Sequence, residues 1–471
     1  MNKAATNSLS EPNELPRRRF LAASVAATAA GAFSAHARSA PSLARPQRAT
    51  GPCRNVIFMV SDGMSMGTLT LADTWLRRKR ERPSHWVSLW SRPHVRRASA
   101  STHSADSVVT DSAAGASAWG IGLKTNNEVL NVTTDGHAHT PILVHARENG
   151  KATGVVTTAR VTHATPAGFY ATMHNRSMEG PIGVQLLERS IDIALGGGAK
   201  YFPEKFLAGR NGLTVARNRT ELLALSRPAG PVLGLFADDH MAYVLDSPKD
   251  EPTLAEMTRS AISLLADRPD GFVLQVESGR VDHAAHNSDA GSLLAEQLAF
   301  DDAIAEVVKF TEGRDDTLVV ITSDHGNANP GLTYYGPTTD EKLGRLATVR
   351  ASFDTMTARM KKGDSPVRLG EIIEEGTGIK PKPADVELLA RRREGGDVCC
   401  GTLWDTPTML MGAMLSDALG VAFLSPNHTS DFVEVTAFGP GSERLDPMID
   451  NTALWQLMVG AMKLAPAKPI S

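Results

Sequence analysis

The feature that most constrains this chain is a recurrence of short apolar, β-prone runs that stop at acidic or small polar residues. Val56-Ile57-Phe58-Met59-Val60 runs into Ser61-Asp62-Gly63, and the stretches 153–158, 272–276 and 318–322 repeat the pattern. Such runs lack the polar alternation of a half-exposed strand, so they predict strands buried on both faces. Helical stretches at 252–267 and 289–311 separate them, the second with Leu294, Leu298, Ala305 and Val308 at helical spacing. The alternation predicts an α/β fold, a mostly parallel central sheet covered by helices on both faces. In such a fold, functional groups gather beyond the carboxyl ends of the strands.

Residues 330–402 depart from this rhythm, being rich in Gly, Pro, Lys and Glu, with two short helical patterns near 367–375 and 385–393. They read as an inserted subdomain before the last core elements, a strand-like run at 432–438 and a helical stretch at 449–463. The core domain is then discontinuous, 54–329 and 403–465. A chain of 471 residues can be absorbed by one such domain with its insertion. At the other end, Arg17-Arg18-Arg19-Phe20-Leu21 precedes an alanine-rich run at 22–33 and the small-residue site Ala35-His36-Ala37. This pattern predicts a twin-arginine export signal over 1–37, a Pro-, Ala- and Arg-rich linker over 38–53, and a periplasmic or secreted protein. The apolar run is too short to cross ~30 Å of hydrocarbon, so no stable membrane anchor is expected.

The 49 basic residues against 52 acidic ones leave a net charge of -3, a balance that points to no nucleic-acid partner and makes a small molecule the default one. The three cysteines, Cys53, Cys399 and Cys400, permit at most one internal disulfide, whose pairing the sequence leaves open. They also exclude a cysteine-built metal cage.

Acidic and histidine clusters sit where the apolar runs end: Asp62-Gly63, Asp111-Ser112, Glu277 with Asp282 and His286, Asp324-His325-Gly326, and His428. Singly, an Asp-Gly pair is commonly a turn and a lone histidine a core residue. Asp282 and His286, however, are four apart and on a helix would share one face. Carboxylate and imidazole together form a ligand set suited to Zn²⁺. Ser112 follows a capping-type Asp111 and precedes small residues, so it reads as a helix start, where backbone N–H groups can meet a phosphate. No Gly-x-Ser-x-Gly elbow surrounds it, and activation by a metal accounts better for a reactive hydroxyl there.

The stretches Asn55-Val-Ile-Phe-Met-Val-Ser-Asp62-Gly-Met64, Thr110-Asp-Ser-Ala-Ala-Gly115, His163-Ala-Thr165-Pro166, Glu277-Ser-Gly-Arg-Val-Asp282-His-Ala-Ala-His286, Ser323-Asp-His-Gly326 and Asn427-His-Thr429 resemble the motifs of alkaline phosphatases, in the family's order. The resemblance covers essentially all of 54–440 outside the insertion. It implies hydrolysis of phosphate monoesters through a phosphoserine at Ser112. Asp282, His286 and His428 would hold one zinc, and Asp324, His325 and Asp62 a second zinc that activates Ser112. Asp62, Thr165 and Glu277 resemble the ligands of the family's magnesium. Arg176 stands where the family keeps an arginine whose planar fork grips two phosphate oxygens. The family also implies a homodimer, with the crown-like insertion 330–402 as the expected contributor.

His163 and His283 are substrate-facing positions at which the best-known bacterial members carry aspartate and lysine, so the magnesium site is expected to be permissive in metal. A sulfatase is excluded, because Ser112-Ala-Ala-Gly-Ala lacks the Cys-x-Pro-x-Arg or Ser-x-Pro-x-Arg stretch it would need. A phosphodiesterase with related metal centres, or an exported protein that binds metal or phosphate without turnover, are the alternatives. The sequons at Asn131, Asn175, Asn218 and Asn427 are taken as chance, since a twin-arginine signal implies a bacterial exporter.

Overall fold

A computed structural model of the chain describes residues 53–465 apart from 209, 211, 227–229 and 397–405. The signal, nearly all of the linker, Cys399 and Cys400 lie outside the described residues. Fourteen strands are described: β1 (Asn55–Ser61), β2 (Arg96–Ser101), β3 (Ala152–Arg160), β4 (Ile193–Gly197), β5 (Thr214–Ala216), β6 (Val232–Leu235), β7 (Phe272–Ser278), β8 (Thr317–Thr322), β9 (Gly326–Asn327), β10 (Gly331–Leu332), β11 (Val421–Ala422), β12 (His428–Thr429), β13 (Val433–Phe438) and β14 (Met448–Asp450). Ten of them form one sheet in the order β14-β2-β13-β8-β1-β7-β3-β4-β6-β5. Only β13 runs against its neighbours β8 and β2, so the sheet is mostly parallel.

The four apolar runs predicted as strands are β1, β3, β7 and β8, side by side at the centre of the sheet. All of β1 is buried, and its alternate side chains feed two separate cores. Ile57 and Met59 join one with Phe272, Phe300 and Ile304, under helices Leu254–Leu265 and Ala290–Thr311. Val56, Phe58 and Val60 join the other with Trp119 and Phe169, under helices Ser112–Ile121 and Ala164–Tyr170. Phe58 meets the rings of Trp119 and Phe169 at centroid distances of 4.9 and 5.3 Å. At roughly 1.5–3 kcal/mol per buried large apolar side chain, the burial of β1 alone contributes on the order of 10 kcal/mol before chain entropy is counted. This double-faced burial holds the strand ends in fixed positions.

Two details differ from the sequence reading. Cys53, placed there in the linker, is buried, and its Sγ donates to the carbonyl of Asn55 at 3.2 Å. The stretch 330–402 carries more helix than its two patterns suggested: besides Pro366–Thr377 and Pro383–Arg393, it contains Thr338–Arg345 and Phe353–Arg359. Its apolar residues Leu343, Phe353, Met356 and Ile372 belong to the first core rather than to a core of their own. No described helix is long and apolar enough to cross a membrane.

Candidate metal centre and nucleophile

β1, β7 and β8 are level at their carboxyl ends, because Val60 pairs with both Glu277 and Thr322. Asp62 therefore follows β1, Glu277 is the last residue but one of β7, and Asp324-His325 follow β8 along one edge of the sheet. Residues Arg280–His286 form the expected helix, bringing Asp282 Oδ2 to 3.3 Å from His286 Nε2. His428 arrives from far along the chain on β12, whose pairing with β9 sets it opposite Asn327. Its ring stacks on that of His325 at a centroid distance of 3.6 Å, and its Nε2 lies 3.5 Å from Asp282 Oδ1. Gly63 makes the close approach possible. It sits at φ +64°, and a Cβ there would stand 2.4 Å from Asp282 Oδ1.

The acidic and imidazole side chains collect into groups whose ligand atoms lie within 4.8 Å of one another: Asp282, His286 and His428; Asp62, Asp324 and His325; Asp62, Glu277 and His163. Thr165 joins the last, its Oγ1 donating to Asp62 Oδ2 at 3.3 Å. Ser112 is the first residue of its helix. Asp111 caps that helix by accepting from the backbone N–H of Ala114 at 2.9 Å, and Ser112 Oγ lies 3.3 Å from His325 Nε2. Arg176 is held beside the same helix start, with Nη1 donating to Asp111 Oδ2 at 2.8 Å and Nη2 3.0 Å from His163 Nε2. His283 stands one ring further out, 5.8 Å from His163 by centroids, and faces His240.

The donor set fits cations. Asp62, Glu277 and Asp324 are fully buried, and Asp62 Oδ1, Glu277 Oε1 and Asp324 Oδ2 have no hydrogen-bond partner. Burial, then the charges of Asp324 and Asp282, pushes the Asp62 carboxyl well above its ordinary range. Burial likewise raises Glu277 to about 7 and Asp324 to about 6. Carboxylates crowded in this way call for positive charge between them. The histidines are oriented for the same purpose. His286 Nδ1 lies 2.6 Å from the Pro426 carbonyl and His428 Nδ1 2.9 Å from that of Thr110, so each donates outward and turns an Nε2 lone pair inward. Those two Nε2 atoms are 3.1 Å apart, a repulsive meeting unless a cation or proton lies between them. Burial opposes protonation of His286, but Asp282 outweighs it and lifts the imidazole to about 9, so a proton can stand in for a metal there. Asp282 is in turn pushed up by burial, yet held well below the usual carboxylate range by His286 and then His428.

Every candidate metal-ligating, catalytic and substrate-facing residue named from the sequence is thus linked to the others through these contacts. Two contributors were missed. Asn327 donates from Nδ2 to Asp282 Oδ1 at 2.7 Å and fixes that carboxylate. His240 packs against His283 with centroids 4.4 Å apart. The signal for His240 was the run 232–235 followed by Asp238-Asp239-His240, the same apolar-then-acidic pattern as elsewhere, in a strand of only four residues.

Comparison with known proteins points to one family. The sequence model of the alkaline phosphatase family matches residues 53–360. Alkaline phosphatase 3 of Bacillus subtilis is 29% identical over 418 residues, covering 85% of this chain and 87% of that protein. Streptomycin-6-phosphate phosphatase of Streptomyces griseus is 33% identical over 380 residues, covering 66% of this chain and 80% of its own. The crystal structure of Thermus thermophilus alkaline phosphatase superposes with a TM-score of 0.83 at 31% identity, covering 93% of this chain and 98% of that one. The chain belongs to the alkaline phosphatase family, whose members are metal-dependent phosphomonoester hydrolases.

Proposed function

We propose that this chain hydrolyses phosphate monoesters in two displacements, with Ser112 as the nucleophile that carries the phosphoryl group between them. The observation that carries the reading is the position of Ser112 Oγ, 3.3 Å from His325 Nε2 at the start of a helix and beside Arg176. Asp282, His286 and His428 would hold one zinc, Asp62, Asp324 and His325 a second, and Asp62, Glu277 and Thr165 a magnesium. When bound, these cations would polarise phosphoryl oxygens and make the serine hydroxyl and water more acidic.

The chain's own groups account for the rest. Arg176, fixed on one side by Asp111, turns its guanidinium toward the helix start and holds phosphate oxygens, with His163 and His283 lining the same side. The serine Oγ–P bond forms as the ester P–O bond breaks, releasing the alcohol. Water then attacks phosphorus, the Oγ–P bond breaks, and inorganic phosphate leaves while Ser112 regains its proton. The loose transition state makes positioning and charge the main sources of acceleration. The signal at 1–37 would deliver the protein to the periplasm or beyond, which detection of an uncleaved chain in the cytoplasm would refute.

The test is a rate comparison on p-nitrophenyl phosphate and bis-p-nitrophenyl phosphate, with and without chelator. Faster monoester cleavage, abolished by chelator and restored by zinc, is expected. Faster diester cleavage, or activity indifferent to chelator, would overturn the assignment.

A further inference from the structure

His163, His240 and His283 come from separate parts of the chain, after β3, after β6 and on the helix Arg280–His286, yet their ring nitrogens gather within 4.8 Å of one another. Each ring turns one nitrogen to a guanidinium: His163 Nε2 to Arg176 at 3.0 Å, His283 Nδ1 to Arg280 at 2.9 Å, and His240 Nε2 to Arg160. The opposite nitrogens of His163 and His240, Nδ1 in both, are buried without a hydrogen-bond partner. Buried polar atoms are rarely left this way, and two orphans in one cluster point to a missing occupant.

We propose that these three imidazoles form a further cation site, selective for a late first-row divalent ion such as Co²⁺, Ni²⁺ or Zn²⁺. Three neutral nitrogen donors are a poor match for Mg²⁺, which takes oxygen ligands, and a good match for these ions. The site shares His163 with the Asp62 and Glu277 group, so it offers a nitrogen-rich alternative beside an oxygen-rich one. Ligation through Nδ1 of His163 and His240 and through Nε2 of His283 puts each ring proton on the nitrogen that faces an arginine, and that arginine must then turn away. Each arginine already has somewhere to go: Arg160 pairs with Glu179 and Asp239, Arg176 with Asp111, and Arg280 lies over the Tyr243 ring, 4.0 Å from Asp354. The site needs neither Ser112 nor turnover.

The experiment is cobalt loading of chelator-stripped full-length protein, read by metal content per chain and by visible d–d absorption, for wild type, His240→Ala and His240→Asn. Wild type is expected to bind one more Co²⁺ than either variant, and excess Mg²⁺ should not displace it. Loss of an outer partner typically costs 10–100-fold in metal affinity, so loss of a ligand should weaken this ion by more than ~100-fold. Ions retained at the carboxylate–imidazole groups would show that the variants are folded and that the reading of those groups stands by itself. Equal cobalt content and spectra in all three proteins would overturn the site. Cobalt-edge anomalous diffraction from the wild type decides it without any variant. A peak among the three rings supports the site, and a peak only between Asp62 and Glu277 refutes it.

Discussion

Replacing Glu277 by Gln should stabilise the metal-free protein at pH 8 and destabilise the metal-loaded one. Glu277 is fully buried at the end of β7, with Oε1 unpaired, and its folded value stands at about 7 against an ordinary 4.5. Between those two values the folded chain keeps a proton that the unfolded chain has lost, so stability falls as pH rises through that window. At about 1.36 kcal/mol per pH unit, the gap amounts to a penalty on the order of 3 kcal/mol at pH 8, and below ~1 kcal/mol at pH 5. Glutamine has no proton to lose and removes the penalty, while its amide oxygen can still accept from Thr157. Burial also raises Glu251, Glu296 and Asp289, but they are common to both proteins and cancel.

The assay is reversible urea unfolding at pH 5 and pH 8, with chelator and with zinc plus magnesium. Chelator-treated Glu277→Gln should exceed wild type by roughly 3 kcal/mol at pH 8 and by little at pH 5. With metals present the order should reverse, since the variant has lost a ligand charge and bound cations favour the folded state. If the chelated variant is no more stable than wild type at pH 8, or gains equally at both pH values, the claim that this carboxylate is held against its charge fails.

Ser112→Ala should lower kcat by more than ~10³-fold while leaving zinc content near that of wild type, because the serine is the attacking group rather than scaffold. Wild-type turnover would remove Ser112 from the mechanism. Arg176→Lys should cost roughly ten- to a hundredfold in kcat/KM, the equivalent of one charge-assisted hydrogen bond that a point charge cannot replace. Steady-state kinetics decide that, an unchanged kcat/KM being the contrary result. Gly63→Ala meets both a left-handed backbone at φ +64° and Asp282 Oδ1 at 2.4 Å. It should lose about 1–3 kcal/mol and bind less zinc, as urea unfolding and metal analysis would report.

What the sequence disclosed follows from whether the cause of each feature is local. β1, β7 and β8 were legible because burial on both faces demands an unbroken apolar run, whichever partners lie alongside. β2 was not, since Arg96–Ser101 buries only Ala98 and Ala100 and is a strand because β13 and β14 pair with it. Helix Thr338–Arg345 was equally hidden, having a single buried residue, Leu343, among polar ones. The site divides in the same way. Asp282 and His286 could be paired from their spacing alone. His428 could be placed only through the ordered set of motifs, because a two-residue strand opposite Asn327 carries it to the others. His240 had neither a helical partner nor a motif.

This dispersion has a consequence for assembly. The groups around Ser112 come from the ends of β1, β7 and β8, from the helix Arg280–His286 and from β12, so no short segment offers more than a fragment of a cation site. An unfolded chain therefore has little affinity for the metals, and nearly all of their binding energy favours the finished fold. Until they arrive, the folded chain carries Asp62, Glu277 and Asp324 against one another with oxygens unpaired. Cation binding and completion of the fold are thus coupled, because the short ladder of β12 with β9 must form to bring His428 to the ligands that begin with Asp62. A leader that exports proteins already folded, as proposed for residues 1–37, would let that process finish before the membrane is crossed.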